Sequence, residues 1–508
     1  MEEYRVKNGI IKKNVTLVNA TSSMILQLLT IISGFIIPKL ILSNFGSEVN
    51  GLISSFNQFF GYISLVEGGL TGVVMAKLYK PLKNKDDEKI SSIVCTTKKF
   101  YSKLSKIFIG YTVILAIVYP IIVKTKFSYF YVCTLGLILG IGLFIQYNFS
   151  LALRILLNAD KKVYVVSITQ IIILILNVVL FIIIIKIFPN IHILKLITGI
   201  LYIIQPIVYN KFVKKNFNIN RNAETDMDLI KDRWDGFAIS LAAFIHNNTD
   251  VIVLTLFTNL KVVSVYSVYS LVTSGLKQLI KAFSNGIVPS IGNIYVQNNK
   301  EKLIEIFEFY EYIILLLTFL LFSIGGLLIS KFVLLYTKNI NDINYNQPVF
   351  GLILIFAEAI SCIREPYLNL AFSANKFKEI RKSAYIEALL NIIISLILVF
   401  KIGIIGVVIG TLISMIYRTI YQVVFLKNNI LNRNVSIFLK KICVFMMFTC
   451  VGIFICLGIG KFFELSIISW IIQGIIYSGI FVLIYFIMSI LLFKNEFYSI
   501  KVKLGGKK

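Results

Sequence analysis

Continuous apolar runs of about twenty residues recur along the whole chain, each long enough to cross a hydrocarbon core roughly 30 Å thick as an α-helix. The run VVSITQIIILILNVVLFIIIIKIF, from Val165, is typical. Lipid leaves every backbone N–H and C=O to be satisfied internally, so only helices or a closed barrel can span it. Barrel strands would alternate apolar and polar residues over about ten positions. These runs do not alternate, and helices follow. Of 508 residues 57% are hydrophobic and 15% charged, whereas soluble domains carry about 25% charged residues. A soluble globular enzyme is therefore excluded.

Charge clusters mark the ends of about fourteen spans. They fall near residues 17–41, 51–76, 104–123, 129–153, 163–185, 191–210, 236–257, 262–290, 311–333, 348–372, 383–400, 402–424, 436–460 and 466–493. The first is too long for a secretory signal and is read as an uncleaved span. The amino terminus, the even-numbered connections and the tail hold about 37 of the 51 Lys and Arg, against about 10 near the odd-numbered ones. Both termini are thus expected on the cytoplasmic side. The basic stretch from Lys77 to Lys103 is expected to be a cytoplasmic loop with a surface helix. The net charge of +26 is explained by orientation and anionic headgroups, not by nucleic acid.

A repeat with a period of about 212 to 215 residues runs through the chain. The segment from Phe45 aligns with that from Phe257, and LLNADKK from Leu156 aligns with AFSANKFK from Ala371, which brings Asn177 within one residue of the position opposite Asn391. Six spans per copy is an even number, so the copies are parallel. The expected fold is an all-α polytopic membrane protein: two six-helix lobes in a parallel pseudo-two-fold repeat, plus two C-terminal helices. Its expected divisions are an N-terminal lobe over 1–215, a C-terminal lobe over 216–430, and the last two helices with a tail over 431–508.

Ionisable groups inside spans are costly and should face water or a partner. Glu67, Asp250, Lys277, Lys281, Glu358, Arg364, Glu387 and Arg418 are such groups, mostly in the second lobe. The second span carries a small or polar stripe of Ser54, Asn57, Gly61, Ser64, Gly68 and Gly72 at helical spacing, and the eighth carries Tyr266, Ser274, Lys277, Lys281 and Ser284. Lys277, Lys281, Arg364 and Arg418, with Asn57, are candidates for a cationic cavity that receives a diphosphate or acidic sugar. The bland alternative is internal pairing, for example of Arg364 with Glu358 or Glu365. Glu67 and Asp250, with Asn247 beside the latter, are candidates for proton or sodium coupling.

Catalytic signatures are missing. There are two histidines, His192 and His246, on different lobes, and no GxxxxGK[ST] or HExxH. Six cysteines lie scattered without a CxxC pair. The chain is read as a non-enzyme with no metal, cofactor or nucleic-acid partner.

The segments NATSSMILQLLTIISGFIIPKLILSNFGSEVNGLISSFNQFFGYISLVEGGL and HNNTDVIVLTLFTNLKVVSVYSVY, with the LLNADKK and FSANKFK turns, resemble the polysaccharide transporter family of the multidrug/oligosaccharidyl-lipid/polysaccharide (MOP) exporter superfamily. These are the Wzx-type flippases of O-antigen and capsule units. The resemblance covers roughly residues 10–430. It implies a monomeric flippase of the bacterial inner membrane that moves an undecaprenyl-diphosphate-linked oligosaccharide from the cytoplasmic to the outer leaflet by ion-coupled alternating access. A polysaccharide polymerase and a chain-length regulator are then expected partners. The competing readings are a small-molecule extruder or lipid II flippase of the same superfamily, and a membrane glycan polymerase or ligase.

Overall fold

The structure, a computed structural model, describes residues 2–62, 64–230, 248–297, 299–374, 376–494 and 496. It is an all-α polytopic membrane protein, and among the described residues ten helices are long and apolar enough to cross a membrane. Large apolar side chains on their outer faces are exposed, as at Phe400, Phe454 and Ile468. A helix apolar all round belongs in lipid.

The chain divides into two compact units, one made of Met1–Phe244 and Asn259–Val263, the other of Ile245–Thr258 and Ser264–Lys508. In the first, α1 (Glu2–Gly61) is broken at Gly46, whose φ of 82° suits glycine far better than any residue with a Cβ. The turn anticipated between the first two spans is therefore a single-residue kink. Helix α2 (Ser64–Asn84) and α3 (Asp87–Ile122) follow. The Asp86 side chain caps α3 by accepting from the Lys89 N–H at 3.0 Å, a bond that holds its carboxyl below the usual range. The basic stretch after the second span is thus the end of one long helix and the start of another. It is not a separate surface helix. Then come α4 (Tyr129–Ile145), a π turn over Gln146–Ser150, α5 (Leu151–Ala159), α6 (Val163–Ile187), α7 (Ile191–Leu201) and α8 (Ile204–Asn216). Helices α1 and α6 pack together, as do α3 with α4 and α4 with α7.

The second unit runs α9 (Asn248–Phe257), α10 (Leu260–Val296), α11 (Lys300–Tyr336), α12 (Pro348–Ile363), α13 (Glu365–Ser373), α14 (Phe377–Ile402), α15 (Ile404–Leu426), α16 (Val435–Gly460) and α17 (Ile467–Leu492). The first four residues of α10 group with the first unit. Pro366 stands in the first turn of α13, where its missing N–H costs nothing, and the run of helix breaks just before it.

The internal repeat reappears in local structure. Helices α5 and α13 are both nine residues long and start 214 residues apart, each following an interruption: the π turn in one unit, the α12–α13 break in the other. The Thr198 hydroxyl donates to Asn177 at 2.8 Å, and Asn391 donates to the Thr411 hydroxyl at 2.9 Å. The same Asn–Thr pair thus joins α6 to α7 and α14 to α15.

Candidate functional site

The second unit holds several buried ionic centres. Asp250, on α9, is 4% exposed. Its carboxylate accepts from the Tyr266 hydroxyl at 2.9 Å, from the Thr411 hydroxyl at 2.6 Å, and from Asn391 Nδ2 at 3.4 Å. These donors come from α10, α15 and α14. All are neutral, and no cation among the described residues pairs with Asp250. A carboxyl held this way can exchange a proton or take up a cation without first breaking an ion pair. At the repeat-equivalent place the first unit has Ile37 and Pro38, so the carboxyl is an addition to the Asn–Thr pair that both units share.

Lys277 on α10 and Glu358 on α12 form an ion pair at 2.6 Å with both side chains half-buried. The anion that Lys277 requires is thus supplied within the unit. Lys281, one turn further along α10, is exposed and has no acid partner among the described residues. Beyond it the Ser284 and Tyr310 hydroxyls bond to each other, and Asn369 donates to both, at 3.1 and 2.8 Å.

Arg364 and Arg418 converge on one acid. Glu387 on α14 is fully buried, accepts from Arg364 Nη1 at 2.7 Å, and is paired on its other oxygen by Arg418 Nη1. The arginines are 5% and 6% exposed, and both Nε atoms are buried without a hydrogen-bond partner. This arrangement departs from the sequence expectation on two counts. The partner is neither Glu358 nor Glu365, and the guanidiniums are sealed inside the unit instead of lining an open cationic cavity. Two guanidiniums on one carboxylate leave one excess positive charge in the interior. Ser150, Ile173 and Ile204 stand 214 residues before Arg364, Glu387 and Arg418.

A further centre went unnoticed in the sequence. Glu311 on α11 is bound by Arg433 through two guanidinium nitrogens at 2.6 and 2.8 Å, by Lys441 at 3.0 Å, and by the Tyr367 hydroxyl. Its distance from Arg433 and Lys441 in the chain hid it, and its place at the edge of an apolar run made it look like a span boundary.

Of the remaining candidates, Asn57 lies on the exposed face of α1 in the first unit. The Glu67 side chain and Asn247 fall outside the described residues. His192 bonds Thr134 and the Tyr131 carbonyl, both at 3.1 Å, and holds α7 against α4. Among the described residues no cluster of three His, Cys, Asp or Glu could hold a metal.

These features define a multi-pass all-α membrane protein with a polar, ion-paired interior in its second unit. One chain with this fold is described as "Lipid II flippase MurJ, inward closed conformation": the TM-score is 0.69 at 14% identity, over 93% of this chain and 99% of that one. An inward-facing multidrug resistance MATE family transporter of the MOP superfamily gives 0.61 at 15% identity, over 80% and 97%. The MATE multidrug transporter DinF-BH gives 0.62 at 15%, over 82% and 95%. The descriptions of these neighbours name a flippase and transporters, one of them of the MOP superfamily. No family model and no curated protein sequence matches the chain.

Proposed function

We propose that the protein is a flippase that carries an undecaprenyl-diphosphate-linked oligosaccharide from the cytoplasmic to the outer leaflet of a bacterial inner membrane by ion-coupled alternating access, with both termini cytoplasmic. The observation that carries this reading is the polar interior of the second unit: an acid at Asp250 that meets only neutral donors among the described residues, a half-buried pair at Lys277–Glu358, and an exposed ammonium at Lys281 with no acid partner among the described residues. The acid suits coupling, and the ammonium groups suit a diphosphate. Fold extent adds support, because the flippase match takes in 93% of the chain and the multidrug transporter matches 80–82%. That same match favours lipid II as the second reading.

The test is translocation in proteoliposomes of a fluorescent undecaprenyl-diphosphate oligosaccharide, with fluorescent lipid II and a cationic dye in parallel. Faster movement of the oligosaccharide than of either alternative is expected. Dye transport without movement of the lipid-linked sugar would replace this reading with that of an extruder.

A further inference from the structure

In the first unit, α3, α8 and the segment following α8 surround an open cavity of about 410 Å³, lined by Lys98, Pro206, Ile207, Asn210, Lys214 and Arg221. Three of the six are cations and none is an acid. No carboxylate among the described residues pairs with Lys98, Lys214 or Arg221.

The segment carrying Arg221 is fastened along α3. Asn220 N–H donates to the Ser91 hydroxyl at 3.0 Å, the Ser92 hydroxyl donates to the Glu224 carbonyl at 2.8 Å, Lys99 donates to the Thr225 hydroxyl at 3.1 Å, and Asp226 N–H donates to the Thr96 hydroxyl at 3.0 Å. The backbone on both sides of Arg221 is therefore held beside α3, which keeps Arg221 at the cavity that Lys98 and Lys214 also line. A cation on an already ordered backbone binds an anion at lower ordering cost than one on a free segment.

The face of α8 that meets the cavity changes character along its length. Ile203, immediately before α8, and Ile207, which lines the cavity, are 42% and 61% exposed. Asn210 and Lys214 follow at spacings of three and four, on the same side. An apolar track thus leads directly into a basic pocket. That pattern matches a molecule with a chain at one end and an anionic group at the other.

We propose that this cavity binds the phosphate of an anionic membrane lipid, with Lys98, Lys214 and Arg221 on the phosphate oxygens, Asn210 on the adjoining ester, and the acyl chain along Ile203 and Ile207. The assignment is independent of what the protein transports, because it is read by lipid retention and not by flux.

The experiment uses the full chain in detergent and measures retained phosphatidylglycerol and phosphatidylcholine by native mass spectrometry. The intact protein should retain phosphatidylglycerol in preference. The triple variant Lys98→Gln, Lys214→Gln, Arg221→Gln should lose that preference by on the order of a hundredfold, each cation contributing roughly fivefold. A control variant, Lys83→Gln, Lys103→Gln, Lys106→Gln, removes equal charge elsewhere in the unit and should keep it. Equal phosphatidylglycerol retention by the two variants overturns the site. Displacement of the lipid by millimolar inorganic phosphate overturns the lipid assignment.

Discussion

Glu387 neutralises half of the charge that Arg364 and Arg418 bring into the second unit, so the three residues respond to substitution as a set. Removing one partner of a buried ionic pair commonly costs about 3–5 kcal/mol, because the other charge stays buried. Glu387→Gln would leave two guanidiniums facing a neutral amide, and a marked fall in the thermal melting temperature is expected. Replacing the whole set, Arg364→Met with Glu387→Leu and Arg418→Met, takes the charges away together and should melt well above Glu387→Gln. If the triple variant is the less stable of the two, the stranded-charge account is wrong. Asp250→Asn behaves differently. No counter-cation is stranded, and the amide keeps an oxygen to accept from Tyr266 and Thr411, so melting should change little. Flux in proteoliposomes should lose its response to an imposed pH or sodium gradient; an unchanged response removes Asp250 from coupling. Asp250, Lys277, Glu358, Arg364, Glu387 and Arg418 are legible from the sequence as ionisable residues inside spans, whereas Glu311 and Lys441 are not. The partners of the former are not legible either, because Glu387 meets residues 23 and 31 positions away on other helices, and linear spacing carries no record of which helices touch.

At the level of elements, apolar periodicity marked the helices well because lipid imposes it, whereas helix–helix contacts depend on small residues that many spans share. Helices α14 and α15 pack closely together through small residues. A Cβ on Gly406 would run into the Leu398 carbonyl, and one on Gly410 would meet the Ser395 hydroxyl with the Ser395 N 2.9 Å away. The obstacle at Gly406 is backbone and cannot swing aside. Gly406→Ala is expected to cost about 1–3 kcal/mol by forcing the two helices apart, seen as a lower melting temperature. Gly34, half-buried on α1 with nothing within 4 Å of an added Cβ, is the matched control: Gly34→Ala should be neutral or slightly stabilising, since alanine favours the helix by about 1 kcal/mol. The kink at Gly46 shows the limit of sequence reading from the other side. The polar residues around it announced a connection, but only the backbone reveals that the connection is a single glycine.

The molecule as a whole adds α16 and α17 to the repeated helices, and these two are tied to α11 by polar bonds along its stretch from Glu311 to Lys331. Lys441 meets Glu311 at 3.0 Å, the Tyr312 hydroxyl meets Ser489 at 2.5 Å, Lys331 donates to Gln473 at 2.8 Å, and Trp470 Nε1 donates to the Leu328 carbonyl at 3.3 Å. Apolar side chains alone would let a helix pair detach into lipid, which is as apolar as they are; polar bonds across the interface give it a reason to stay. Ending the chain after Asn434 would leave Tyr312, Lys331 and one side of Glu311 facing hydrocarbon, and groups of that kind cost several kcal/mol without partners. The shortened protein should therefore aggregate or melt far below the full chain in size-exclusion and thermal assays. Co-expressing residues 435–508 as a separate polypeptide should restore a single folded species, because the same bonds can form without the covalent link. Full stability and flux in the shortened chain alone would show instead that α16 and α17 are peripheral to the fold.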